Sequence, residues 1–316
     1  MKTLLCLFLA VAILFVGCAA PGTAPDEETL YTFTDSSGKT VTLSQTPKTV
    51  AVLFSSFAQI WQLAGGEVSV TVGESIERGF AKDSAVLVDS GAGKTIDLEM
   101  LLSAQPDLVI GSLDIPAHIE TCQAAEKAGI PAALFQVDTL KDYVSMLKIC
   151  TDITGNEEAF TTYGTAVTAE AEKILATVKQ TELPQKKILF IRAGSQYSST
   201  KAKRAPENFV CTMLQELGAY NIAEDAEILL DGLSLEEIIL QDPNYIFLSS
   251  MGSEAAAKEY MQDLFSQDGW KDLQAVKEGN YTFLSKDLFH YKPNHRWADA
   301  YAQLSQLLYP ELNFHG

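Results

Sequence analysis

A sixteen-residue pattern occurs twice, and the repeat restricts the chain to two similar halves. Asp97-Leu98-Glu99-Met100-Leu101-Leu102-Ser103-Ala104-Gln105-Pro106-Asp107-Leu108-Val109-Ile110-Gly111-Ser112 aligns without a gap on residues 234–249, SLEEIILQDPNYIFLS, at a constant offset of 137. Each copy reads as a capping side chain, a short apolar helix stopped by Pro, and an apolar strand that ends at Ser. Between the copies, Asn156 to Thr181 reads as one long helix. Asn156 is its expected cap, Glu157 and Glu158 lie in the electropositive first turn, and Pro184 follows its end. Phe160, Tyr163, Val167, Ala171, Ile174, Leu175 and Val178 form a single apolar stripe. Gly164 is its one weak point. About 25 residues span on the order of 37 Å, the width of a small domain, so this segment reads as a rigid strut between two lobes.

The surrounding grammar is that of parallel α/β lobes. Tyr31–Leu43 reads as a β-hairpin, Val50–Phe54 as a buried strand, and Ser55-Ser56 as the cap of a helix ending at Gly65-Gly66. Pro116–Ala128 and Thr139–Ile153 read as helices around a strand at Ala132–Phe135, with Thr139 and Asp142 placed as a capping box. After the strut come a strand at Lys187–Arg192, a helix at Glu207–Leu217, the repeated unit, a helix at Glu254–Phe265, a strand at Tyr281–Leu284 and a last helix at Asn294–Leu308. The expected division is 1–18 export signal, 19–30 tether, 31–155 first lobe, 156–181 connecting helix and 182–316 second lobe.

Of 316 residues, 47% are hydrophobic, enough for two cores, and the net charge of -18 argues against nucleic acid as a partner. Lys2, the apolar run Leu4–Val16 and Gly17-Cys18 read as an export signal resembling a lipobox, with Phe15 where Leu is usual and Cys18 at the acylation position. An ordinary cleaved signal or a membrane anchor are the other readings, but thirteen apolar residues are short for a span of about 20. Residues 19–28, AAPGTAPDEE, have the composition of a tether. Cys122, Cys150 and Cys211 have no zinc-site spacing, and Cys122 and Cys150, in apolar helical patterns, read as buried thiols.

Ser90-Gly91-Ala92-Gly93-Lys94-Thr95 ends like a phosphate loop, but Val88 stands where that motif begins with Gly, so a tight turn is expected. A two-lobed chelatase-like metalloenzyme is the rival reading, but the chain contains no Gly-x-Ser-x-Gly, no metal-spaced His pair and only four His, which disfavours it and a multi-His metal receptor alike.

Taken in order, Thr40-Val41-Thr42-Leu43, Ile96-Asp97-Leu98-Glu99, Pro106-Asp107-Leu108-Val109-Ile110, Leu217-Gly218-Ala219, Asn221-Ile222-Ala223, Leu233-Ser234-Leu235-Glu236 and Phe289-His290-Tyr291-Lys292-Pro293-Asn294-His295-Arg296-Trp297 resemble a known family. It is that of the substrate-binding lipoproteins of ABC importers for iron-siderophores, haem and cobalamin, and the resemblance covers roughly residues 30–312. It implies two Rossmann-like lobes joined by one helix, a ligand cleft between them, no catalysis and no resident cofactor. It also implies a monomer, lipid-anchored through Cys18, that delivers its ligand to a permease dimer with its ATPase. In this family an acidic residue on each lobe meets arginines of the permease, and the matching positions are Glu99 and Glu236. The repeat supports that role independently, since a two-fold partner requires the same charge at equivalent places. Helix-terminus stabilisation alone is the simpler alternative.

For the ligand, the loop 192–208 places Arg192, Lys201, Lys203 and Arg204 beside Ser195 and Tyr197, which suggests an anionic, oxygen-rich chelate of ferric iron. His290, Tyr291 and Arg296 form a second set, which suits haem iron or stacking on a corrin. Ser55, Ser56, Phe57, Arg78, Phe80, Ser112 and Asp114 are first-lobe candidates by position on loops after strands.

Overall fold

The computed structural model describes residues 31–89 and 95–312. The expected signal, the Cys18 anchor, the tether and most of the Ser90–Thr95 turn lie outside the described residues.

A hairpin of β1 (Tyr31–Thr34) and β2 (Thr40–Leu43) precedes the first lobe and turns at Gly38, whose φ is 84°. The first sheet contains β3 (Val50–Val52), β4 (Val70–Thr71), β5 (Val86–Leu87), β6 (Leu108–Ser112) and β7 (Ala132–Phe135) in the order β5-β4-β3-β6-β7, all parallel. The second contains β8 (Lys187–Ala193), β9 (Lys201–Ala202), β10 (Tyr220–Asn221), β11 (Tyr245–Ser250) and β12 (Tyr281–Phe283). Its parallel order is β10-β8-β11-β12, and β9 pairs antiparallel with β8. Two parallel sheets with crossover helices make two α/β lobes.

The repeat is conserved down to its backbone. Asp97 and Ser234 cap their helices, Leu98–Ser103 and Leu235–Gln241, by accepting from the main-chain N–H of Met100 and Glu237. Gln105 and Asp242, the equivalent residues before each Pro, both adopt positive φ, 48° and 42°. One position after each Pro, Asp107 and Asn244 repeat the same clamp. The Asp107 side chain accepts from Thr49 N–H and its own N–H donates to the Thr49 carbonyl, while Asn244 does the same with Lys187. These clamps set the register of β3 against β6 and of β8 against β11.

The strut is helical throughout but carries a break. Helix Glu157–Phe160 passes through a π turn at Thr161–Thr165 into helix Ala166–Gln180. The widened turn alters the ladder of helical hydrogen bonds, and the Tyr143 hydroxyl donates to the Tyr163 carbonyl at 2.9 Å. Gly164 lies in this turn because space is absent: a Cβ there would sit 3.1 Å from the Phe160 ring and 3.4 Å from Leu147 on the neighbouring helix Leu140–Thr154. That neighbouring helix has both bonds of the expected Thr139/Asp142 capping box. At Ser55–Leu63 the expected serine cap is not made; Phe54 occupies the cap position without a side-chain bond. Asn208, not Glu207, starts the next second-lobe helix, Phe209–Glu216.

Strand alternation distributes the core. Val50, Val52, Leu108 and Ile110 from the first sheet, and Ile188, Phe190 and Phe247 from the second, point into one continuous apolar cluster. Val167, Ala171, Ile174 and Val178 of the strut belong to it, together with Trp297, Tyr301, Leu304 and Leu308 of the last helix, Trp297–Leu308. The opposite faces have their own clusters, around Ala51, Leu53 and Val109 in the first lobe and Leu189, Ile191 and Leu248 in the second. Cys122, Cys150 and Cys211 are buried free thiols.

Trp297 is fully buried where the lobes join, edge-to-face on Phe209 at 5.8 Å. Trp297→Ala therefore should cost about 3–5 kcal/mol in urea unfolding, and both lobes should melt in one transition by near- and far-ultraviolet dichroism. His295 packs on Tyr163 of the strut, 5.8 Å between rings, and its Nδ1 has no hydrogen-bond partner among the described residues. Burial first, and then Arg296, hold its pKa below the ordinary 6.5. The unfolded chain then takes up the proton first as pH falls, so stability drops from about pH 7 towards 5. The slope of Tm against pH in that window should flatten in His295→Gln.

Candidate ligand cleft

Ligands in open parallel sheets sit beyond the carboxyl ends of the strands, and both sheets here contribute those ends to one cavity of about 440 Å3. Asp114 follows β6, Gln136 and Asp138 follow β7, Arg192 and Ser249 sit near the ends of β8 and β11, and Glu207, Asn208 and Phe209 enter the next helix. Phe289, His290 and Lys292 complete the lining from the segment after β12. A hollow of similar size, about 450 Å3, lies between the C-terminal turn of the strut and Tyr309 and receives no strand end.

The segment 290–294 crosses from the second lobe to the first and is bolted there. The Lys292 N–H donates to the Ser56 hydroxyl at 3.3 Å, and Asn294 Nδ2 donates to the Ser56 carbonyl at 2.8 Å and to Gln59 Oε1 at 2.7 Å. Asn294 is fully buried with φ 54°. Lys292 Nζ makes an ion pair with Asp138 at 2.8 Å and lies 5.1 Å from the centre of the Phe209 ring.

Beside this strap a second polar group gathers at the carboxyl ends of β3 and β4. The Arg78 guanidinium lies 3.7 Å from the centre of the Tyr291 ring and 4.7 Å from that of Phe80. Arg78 donates to the Ser55 hydroxyl at 2.8 Å and to the Ser56 hydroxyl at 3.5 Å, and Ser55 in turn donates to Glu74. Desolvation lowers the Arg78 pKa, and Glu74 opposes that shift. The serines that failed to cap their helix therefore orient this guanidinium. Tyr291 meets His290 edge-on, 5.1 Å between rings, and so connects the two groups.

His290 faces solvent from a cleft whose walls crowd it. Desolvation and then the charges of Arg192 and Lys286 lower its pKa, so the ring is neutral at pH 7. Asp114 is shifted the other way, above its usual 3.8, by desolvation first and by the Asp138 charge second.

Of the candidate residues, Asp114, Arg192 and His290 line the cavity, and Ser55, Ser56, Arg78, Phe80 and Tyr291 form the adjoining group. Phe57 is completely buried against Phe54 and Phe135, and Ser112 is buried with its hydroxyl accepting from the Asp114 N–H. Ser195, Tyr197 and Lys201 lie on the exposed loop and β9 and do not line the cavity. Lys203 and Arg204 turn to Glu207, at 3.6 and 3.8 Å, and Arg296 pairs with Asp299 at 2.9 Å. Sequence reasoning missed Gln136, Asp138, Glu207, Asn208, Phe209, Ser249, Phe289 and Lys292. For Ser249 a signal existed, because it is the repeat partner of Ser112. Among the described residues no group of three or more His, Cys, Asp or Glu could hold a metal ion.

The family described as periplasmic binding protein matches residues 50–288. A periplasmic solute binding protein from Veillonella parvula has the same fold, with a TM-score of 0.69 at 19% identity over 89% of this chain and 87% of that one. Staphylococcus aureus SirA, solved with staphyloferrin B, gives 0.66 at 16% identity over 88% and 98%. A haem-binding periplasmic protein from Pseudomonas aeruginosa gives 0.65 at 20% identity over 84% and 94%. No curated protein sequence matches. With a family match across most of the chain, and two parallel sheets opening onto a shared cleft, this chain belongs to the periplasmic binding protein family.

Proposed function

We propose that the protein is the extracytoplasmic receptor of an ABC importer, that it captures a ferric chelate of the siderophore type, and that it delivers it to a permease dimer driven by an ATPase. The observation that carries this reading is Arg192. It stands at the end of a central strand, in a cavity with Phe209 and Phe289, and no carboxylate lies within ion-pair distance of it among the described residues. A guanidinium held free beside aromatic walls suits the oxygen-rich face of a metal chelate. SirA with staphyloferrin B, and BauB with ferric acinetobactin, show that the fold accommodates such ligands. We assign no catalytic role to any residue, and we place the lobe boundaries at residues 155 and 182, with anchoring through Cys18.

The adjacent His290 and Tyr291 rings favour a second reading, haem or a corrinoid, because either side chain could meet haem iron and both could stack on a macrocycle. Thermal unfolding against ferric siderophores, iron-free siderophores, haemin and cobalamin separates the two. A true ligand at about 100 times its Kd adds about 2.7 kcal/mol. Stabilisation by ferric chelates alone, lost in Arg192→Met, is the expected outcome; stabilisation by haemin alone, lost in a His290 or Tyr291 variant, would replace it.

For delivery, we propose that Glu99 and Glu236 dock on the permease. Both are exposed in the first turns of the repeated helices. They stand at equivalent places in the two lobes, as a two-fold partner requires. Glu99→Arg with Glu236→Arg should abolish uptake by cells while the purified receptor keeps its Kd within about twofold. A weakened Kd in the purified variant would refute the docking role.

A further inference from the structure

Among the residues that line the cavity, cations and carboxylates are matched one against another with two exceptions. Lys292 is paired with Asp138, and Lys203 and Arg204 with Glu207. Arg78 reaches Glu74 through the Ser55 hydroxyl. Among the cavity-lining residues this leaves Arg192, and it leaves Asp114, which has no cationic group within ion-pair distance among the described residues and is met by the Gln136 amide. The site therefore presents one open positive group and one open negative group. The lining does not present the surplus of cations that a polyanionic guest needs.

Resting on the receptor reading above, we propose that the ligand is a chelate of net charge zero or +1 that carries a protonated amine: the amine meets Asp114 and the oxygen-rich chelate face meets Arg192. Three features support it. Desolvation first and then the neighbouring Asp138 disfavour the ionised Asp114 carboxylate, more than Lys292 and the Gln136 amide favour it, and the charge of an arriving ammonium offsets both. A guest of several negative charges would find Arg192 as the one unpaired lysine or arginine of the lining, beside an unpaired Asp114 and the already paired Asp138 and Glu207. Finally, the Lys292 ammonium is held by Asp138 and the Phe209 ring, so moving it to serve an anion would break its ion pair with the first lobe.

The test is calorimetric titration of the purified wild-type protein and of Asp114→Asn with three ferric chelates. They are a tris-hydroxamate with a free terminal amine, the same chelate with that amine acetylated, and a trianionic tris-catecholate. Wild type should bind the amine form at least about tenfold more tightly than the acetylated form. Asp114→Asn should weaken the amine form by at least about tenfold and change the acetylated form by less than about twofold. The tris-catecholate should be the weakest of the three for wild type. Equal binding of the amine and acetylated forms, a tighter tris-catecholate, or an equal loss for all three chelates in Asp114→Asn would overturn the assignment and leave the ferric-chelate reading standing. Failure of wild type to bind any of the three would instead refute that reading and the assignment with it. An Asp114→Asn unfolding temperature within about 3 °C of wild type shows that the variant is folded.

Discussion

The structure depends on one apolar cluster that belongs to neither lobe alone. Each sheet has two faces because side chains alternate along a strand. In both lobes the face carrying Val50, Val52, Leu108 and Ile110, or Ile188, Phe190 and Phe247, turns towards the strut and the last helix. Ala171 and Ile174 of the strut and Trp297 and Leu304 of the last helix fill the space between. Separating the lobes would expose this surface to water, at roughly 25 cal/mol per Å2 of apolar area. Wide hinge opening is therefore costly. The strap acts in the same sense: a buried Asn294 in an unusual backbone conformation holds the Ser56 carbonyl and Gln59 at once.

How much of this is legible in the sequence depends on whether the cause is local. The repeat announces two lobes, and its caps at Asp97 and Ser234, like the Thr139/Asp142 box, are where the pattern places them, because capping involves residues three apart in the chain. The strut is likewise readable from its stripe, and Gly164 correctly marks the weak point. That position 164 of this π turn takes no side chain reflects the nearness of Phe160 and Leu147, and the turn's Tyr163 carbonyl is met by the Tyr143 hydroxyl; Leu147 and Tyr143 come from another helix. Ser55 and Ser56 look like caps for the same local reason. They serve Arg78 and the strap instead, since Arg78, Lys292 and Asn294 are distant in the chain and invisible to a periodicity argument.

The cleft was less legible, and charge explains why. A run such as Lys201-Ala202-Lys203-Arg204 reads as a basic patch when its letters are counted, yet Glu207, three or four residues on, draws two of its three cations back to the loop. Opposite charges paired within about 4 Å present little field at ligand distance, and surrounding solvent and salt weaken it further. Arg192 differs because it is part of a strand. Its neighbours across the sheet are Ser249 and Lys201, neither of them acidic, so its charge remains directed at whatever enters the cavity.

The polar groups of the cleft thus fall into two kinds with different energetic roles. Lys292, Asp138, Arg78, Ser55 and Ser56 are fixed by one another before any ligand arrives, and side chains already ordered lose little freedom on binding. They shape the wall and exclude guests that do not fit it. Arg192 has no such partner among the described residues and Asp114 has only the Gln136 amide, so a guest that satisfies one of them covers the other without a countercharge. Discrimination in such a site comes less from the strength of either contact than from the cost of leaving one unmade. Because the shared core resists opening, the cleft cannot widen to escape that cost.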